Sequence, residues 1–181
     1  ANIVFSELQY NGLARSTNGG ANFIEITNGL TGSADWNAPF LVDNSGALYV
    51  GRQDIFKSTN NGSSYTKITN GGMGVLKFMA ICKSAQDVMF ATNGGTIYKI
   101  DLASGDVTNV SNGLPGPISH VAVSDNDSNK VYVTISGFAS GKKVFRSIDG
   151  GSSWTNITDN LPNIPAVSIA VQNDSLEGIY I

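Results

Sequence analysis

Three copies of one short phrase constrain this chain more than any other feature: Arg15-Ser16-Thr17-Asn18-Gly19-Gly20-Ala21-Asn22-Phe23, Lys57-Ser58-Thr59-Asn60-Asn61-Gly62-Ser63-Ser64-Tyr65 and Arg146-Ser147-Ile148-Asp149-Gly150-Gly151-Ser152-Ser153-Trp154. Each copy follows an alternating apolar run, as at Ile55-Phe56 or Val144-Phe145, and leads into another, such as Tyr65-Thr66-Lys67-Ile68. That order predicts strand, turn, strand. Inside the turn the Asn or Asp oxygen accepts backbone N–H bonds, glycine takes positive φ, and the serine hydroxyl adds a local bond. The closing aromatic is placed to fold back over the hairpin.

The spacing is as regular as the phrase. Ser16 to Ser58 is 42 residues, a second step of 42 reaches Ile100, and 47 more reach Ser147. Around Ile100 the flanking strands persist and the turn phrase is lost. The same steps carry Thr27-Asn28-Gly29-Leu30 onto Thr69-Asn70-Gly71-Gly72, Ser111-Asn112-Gly113-Leu114 and Thr158-Asp159-Asn160-Leu161. Two unrelated phrases in one register mark an internal repeat. A period of about 40 to 50 residues holding several short strands predicts an all-β fold, a β-propeller of four-stranded antiparallel blades.

Read as a single propeller segment over 1–181, the repeat gives a partial blade at 1–26, blades at about 38–68, 75–110 and 117–158, and a partial blade at 166–181. The first is expected to lack its inner strand and the last its outer two. Among the expected strands are Val75–Cys82, Val107–Val110, Trp154–Ile157 and Val167–Val171. No segment sustains a helical apolar period over three turns. About four blades' worth of strand predicts an arc of a larger propeller, with further repeats expected beyond Ala1 and Ile181. An open arc leaves unpaired edges that invite association.

Composition narrows the function classes. Only 14% of residues are charged and the net charge is −3, without a basic stripe, which argues against a nucleic-acid partner. No apolar run reaches the roughly 20 residues needed to span a membrane. Cys82 is the single cysteine and His120 the single histidine, so neither an internal disulfide nor a multi-histidine metal site can form. Both are expected to be structural. Asp125-Asn126-Asp127 lacks the further ligands of a calcium loop and reads as a turn. No cofactor or metal is expected.

The turn phrase resembles the Asp-box, Ser-x-Asp-x-Gly-x-x-Trp, of sialidase-like, sortilin-like and xyloglucanase-like propellers. The copy with Ser147, Asp149, Gly151 and Trp154 matches fully; Ser16, Asn18, Gly20 and Phe23, and Ser58, Asn60, Gly62 and Tyr65, substitute Asn for Asp and another aromatic for Trp. Asp35-Trp36-Asn37-Ala38-Pro39-Phe40-Leu41-Val42-Asp43, Lys143-Val144-Phe145-Arg146-Ser147-Ile148-Asp149-Gly150-Gly151 and Asn160-Leu161-Pro162-Asn163-Ile164-Pro165 resemble the sortilin-like repeats of large secreted Bacteroidetes-type proteins exported by type IX secretion. That resemblance implies an extracellular or cell-surface location and adhesive or carbohydrate-active neighbours. A sialidase-like site resembles three arginines on one carboxylate. Arg15 and Arg146 share one repeat position beside the turn phrase and are not expected to converge with Arg52. A xyloglucanase-like site implies carboxylates from different blades, for which Asp35 and Asp43 are the catalytic candidates; against this, Asp43 reads as the cap of the turn Asp43-Asn44-Ser45-Gly46 and Asp35 as solvated.

Residues that repeat in register are expected to be scaffold, and departures from register to carry function. Two loops depart. Thr31–Asn37 holds Trp36, which is expected either to stack on a sugar or anchor a partner, or to plug the seam between blades. Ser136–Lys143 holds Phe138, either a mobile contact or a lid, with Lys142 and Lys143 as a solvated loop end. The leading expectation is a non-catalytic surface scaffold or binding module for a protein or glycan. The alternatives are part of a polysaccharide-cleaving propeller, or a structural subunit completed by neighbouring copies or by the remaining blades of a parent chain.

Overall fold

The computed structural model describes residues 2–8, 12–172, 174 and 177–181. Parts of the expected partial blades, at positions 1, 9–11, 173, 175 and 176, lie outside the described residues. The chain forms two compact units, Ala1–Lys77 and Phe78–Ile181.

The first unit holds two antiparallel sheets. One is β1 (Val4–Leu8), β2 (Gly12–Ser16) and β3 (Ile24–Glu25); the other is β4 (Phe40–Val42), β5 (Leu48–Gly51), β6 (Ile55–Ser58) and β7 (Thr66–Lys67), each in sequential order. The second unit holds β8 (Phe78–Ile81), β9 (Val88–Thr92), β10 (Ile97–Asp101) and β11 (Val107–Asn109), then β12 (Ile118–Val123), β13 (Val131–Ile135), β14 (Val144–Ser147) and β15 (Thr155–Asn156), then the pair β16 (Ala170–Val171) and β17 (Ile179–Tyr180). Second strands are central and buried throughout at β5 and β13, whereas the fourth strands β7 and β15 are exposed. Leu13, Ile26, Leu48 and Val50 make the core of the first unit. Phe90, Val121, Val133 and Phe145 anchor the larger core of the second.

The three turn phrases fold alike. Ser16 Oγ donates to Asn18 Oδ1 (2.8 Å) and accepts from Gly20 N (2.9 Å). Ser58 does the same with Asn60 Oδ1 (2.9 Å) and Gly62 N (2.8 Å), and Ser147 with Asp149 Oδ1 (2.7 Å) and Gly151 N (2.8 Å). The Asn or Asp oxygen then accepts the N–H four residues on, at Asn22, Ser64 and Ser153. Gly20, Gly62 and Gly151 take φ of 96°, 81° and 90°, a region where a side chain is strained. At the degenerate copy Ile100 has no hydroxyl. There Asp101 Oδ1 instead accepts the N–H groups of Ala103 (2.8 Å) and Ser104 (2.9 Å).

Within each unit the phrase also joins two sheets. Tyr65 O–H donates to the Ile26 carbonyl (2.8 Å), and Trp154 Nε1–H donates to the Val110 carbonyl (2.7 Å). Ile26 and Val110 occupy the same position at the end of a preceding fourth strand. A Cβ added to Gly62 would run into Ile26 Cδ1, and one on Gly151 would stand 2.8 Å from Val110 Cβ; both positions also have positive φ, so glycine suits the approach. Arg15 Nη1 adds a bond to the Asn61 carbonyl (2.7 Å).

The second phrase finishes the ladder. Thr69 Oγ1 accepts Ile55 N–H (2.9 Å), Ser111 Oγ accepts Ile97 N–H (2.9 Å), and Thr158 Oγ1 accepts Val144 N–H (3.1 Å). A side-chain oxygen thus replaces the next strand residue. For that reason the fourth strands are shorter than expected: Thr155–Asn156 within Trp154–Ile157 and Val107–Asn109 within Val107–Val110. The strand expected at Val75–Cys82 is confined to Phe78–Ile81, because Leu76 N–H is taken by the Arg52 carbonyl (2.9 Å). The one expected at Val167–Val171 is confined to Ala170–Val171.

Candidate functional site

In the first unit the loop between β3 and β4 is fastened at its base. Arg52 Nη1 donates to the Gly32 carbonyl (3.1 Å), and Gln53 Oε1 accepts Ser33 N–H (3.2 Å). Asp35 Oδ1 accepts Trp36 N–H (2.9 Å), which caps the loop before Ala38. Trp36 is 54% exposed, so about half of its surface is open to solvent.

Glu7, at the end of β1, belongs to the same place. Burial pushes its carboxyl up, the Ala38 N–H opposes this, and the charge of Asp35 pushes it up further. Glu7 Oε1 is buried without a hydrogen-bond partner among the described residues. Sequence reasoning missed Glu7. The available signal was register: Glu7, Gly51, Thr92 and Thr134 hold equivalent ladder positions, opposite Leu13, Ile55, Ile97 and Val144, and only the first is ionisable.

Asp43 caps its own turn. Its Oδ1 accepts Ser45 N–H (2.9 Å), Ser45 O–H (2.6 Å) and Ala47 N–H (2.9 Å), and Oδ2 accepts the Tyr49 hydroxyl (3.2 Å). Burial opposes ionisation there, and these bonds outweigh it to leave the carboxyl below its ordinary value. The arginines of the first unit are likewise occupied, Arg15 with Asn61 and Ser63 and Arg52 with Gly32. Tyr65 lies near both, and burial lifts its phenol to about 12 against their charge.

In the second unit Phe138 is 72% exposed on a tethered loop. The tethers are Lys143 Nζ to the Gly137 carbonyl (2.6 Å) and Asn156 Nδ2 to the Gly141 carbonyl (2.6 Å). Lys143, expected as a solvated loop end, is instead 1% exposed, because its stem packs inward while its ammonium ties the loop. Phe138 therefore stands exposed between two tethered positions, Gly137 and Gly141. His120 sits 4.5 Å from the Phe78 ring centroid, and burial lowers its imidazole. Cys82 is fully buried. Asp125 pairs with Lys83 (2.6 Å) and Asp127 caps Asn129 N–H (2.9 Å), as a turn requires. Among the described residues no group of three metal-ligating side chains occurs.

No family model matches the chain, and no curated protein does. Solved structures do. A GH74 enzyme from Niastella koreensis is 26% identical with a TM-score of 0.68 over 85% of this chain and 27% of its own. YCF48 from Cyanidioschyzon merolae is 15% identical with a TM-score of 0.59 over 94% of this chain and 56% of its own. A chain of the nidogen/laminin complex is 16% identical with a TM-score of 0.63 over 88% of this chain and 62% of its own. The chain thus spans between about a quarter and two thirds of the proteins it resembles. Its fold is all-β, built of four-stranded antiparallel sheets that match part of larger propeller structures.

Proposed function

We propose that this chain is part of a non-catalytic extracellular or cell-surface binding module that recognises a neutral glycan at Trp36, Asp35 and Glu7. The observation that carries the reading is the exposed Trp36 on an anchored loop, bonded through its N–H to Asp35, whose charge in turn acts on Glu7. A sugar ring lays its C–H face on an aromatic plane while its hydroxyls donate to carboxylate oxygens. The surface placement rests on the resemblance of the repeats to those of secreted bacterial proteins. Glycan-array screening followed by calorimetry tests the reading: Trp36→Ala is expected to weaken binding about tenfold or more, with thermal stability unchanged. Binding indifferent to Trp36→Ala refutes it.

A second reading is polysaccharide cleavage, favoured by Glu7 itself. A carboxyl whose pKa is raised by burial next to a second carboxylate is the kind of pairing glycosidases use. Its expected sign is release of reducing ends that disappears in Glu7→Gln. Binding without such release supports the non-catalytic module.

A further inference from the structure

Inside the second unit, between the sheet β8–β11 and the turn that joins β14 to β15, lies a cleft of about 470 Å³ whose lining includes Lys99, Asp101, Asp106, Thr108, Gly150 and Ser152. Both walls belong to complete four-stranded sheets. The volume falls in the range of roughly 300 to 1,000 Å³ in which small ligands bind.

The repeat explains why this gap is open. Lys99 precedes Ile100 as Arg15 precedes Ser16, and Gly150 and Ser152 hold the places of Asn61 and Ser63 in the following turn phrase. In the first unit Arg15 spans the corresponding gap, donating to the Asn61 carbonyl (2.7 Å) and to Ser63 Oγ (3.2 Å). Lys99 is half-buried and lacks the guanidinium fork. Its Nζ would stand 2.9 Å from a Cβ on Gly150, yet it makes no hydrogen bond or ion pair to a described residue. The sheet that carries Lys99 is also the one that has lost the turn phrase, and its replacement turn brings Asp101 and Asp106 to the cleft. Asp101 Oδ1 takes the N–H groups of Ala103 and Ser104 and Asp106 Oδ2 the Ser104 hydroxyl, which leaves acceptor sites on both carboxylates.

The lining sets a donor-only ammonium beside acceptor-only carboxylates and the hydroxyls of Thr108 and Ser152, which do both. A ligand of fixed charge meets its own sign there, whichever sign it carries. A hydroxyl, donor and acceptor at once, satisfies both kinds of group, and the half-buried Val88 offers an apolar surface to the C–H face of a ring. We infer that this cleft binds a neutral sugar, with Lys99 donating to one hydroxyl oxygen and Asp101 or Asp106 accepting from the next. The site lies wholly in the second unit and does not rest on Trp36.

Titration of the isotope-labelled 181-residue chain with cellobiose, maltose and laminaribiose, followed by NMR, tests this. At least one of the three is expected to shift the amide signals of Lys99, Thr108 and Ser152. Lys99→Met, which keeps the stem and removes the donors, is expected to weaken that binding about tenfold. Thr108→Val, at an exposed position, is expected to weaken it about threefold with the parent circular dichroism. Shifts confined to Trp36 and its neighbours overturn the cleft and leave the first-unit reading standing; shifts confined to the cleft do the reverse. Glucosamine or glucuronate bound more tightly than every neutral disaccharide overturns the ligand class, and binding indifferent to both substitutions overturns the site.

Discussion

Asn18, Asn60 and Asp149 hold one place in three turns, and what that place demands is an acceptor oxygen, which either residue type supplies. The charge of Asp149 is therefore incidental to geometry but not to pH. Bonds from Ser153 and Ser147 hold its carboxyl down at about 2. A folded-state value below the unfolded one, about 3.9, means stability that is present above that pH and lost as pH falls toward 2. Asp149→Asn is expected to flatten that acid loss in urea melts between pH 5 and 2 while leaving the midpoint at pH 7 nearly unchanged. The glycines give a second test. Gly151→Ala meets Val110 as well as a φ of 90° and is expected to cost about 2 to 5 kcal/mol. Gly20→Ala meets open space at a φ of 96° and is expected to cost only about 1 to 2 kcal/mol, measured by the same melts. At this scale the turn chemistry is legible in the sequence because it is local. The burial of Lys143 is not, since it depends on a carbonyl six residues away whose loop conformation no pattern specifies.

The fourth strands show how little an element needs in order to persist. β7 and β15 have two residues each, and their ladders are finished by Thr69 and Thr158. Thr158 Oγ1 also accepts Lys143 N–H (2.8 Å), so a hydroxyl serves two buried donors. Thr158→Val leaves both without an acceptor and is expected to destabilise by about 1 to 3 kcal/mol in chemical denaturation, whereas Thr158→Ser is expected to stay near the parent. Strand order and register follow from apolar alternation and a fixed period, and both are readable in advance from β4 to β15. Strand ends are less so, because they are decided by capping side chains rather than by hydrophobicity. The candidate site divides in the same way: Trp36 and Asp35 stand out as departures from register, while Glu7 is brought to them by a loop path that spacing alone does not trace.

On the scale of the whole molecule, stability in a repeat architecture is a sum of sheet terms and nearest-neighbour terms. Damage to one joint should then stay local. In Gly151→Ala, hydrogen exchange is expected to quicken in β10–β15 and to keep its parent rate in β5 and β6; uniform loss of protection would contradict the additive picture. The joint itself has two unlike sides. The turn side must supply glycine and an aromatic, but the strand side supplies only a main-chain carbonyl and a modest aliphatic bulk, Ile26 in one case and Val110 in the other. Every residue carries a carbonyl. Such a coupling lets the sequence of one layer drift without re-matching the next, so whole layers can be duplicated, dropped or exchanged over evolutionary time without designing a new interface.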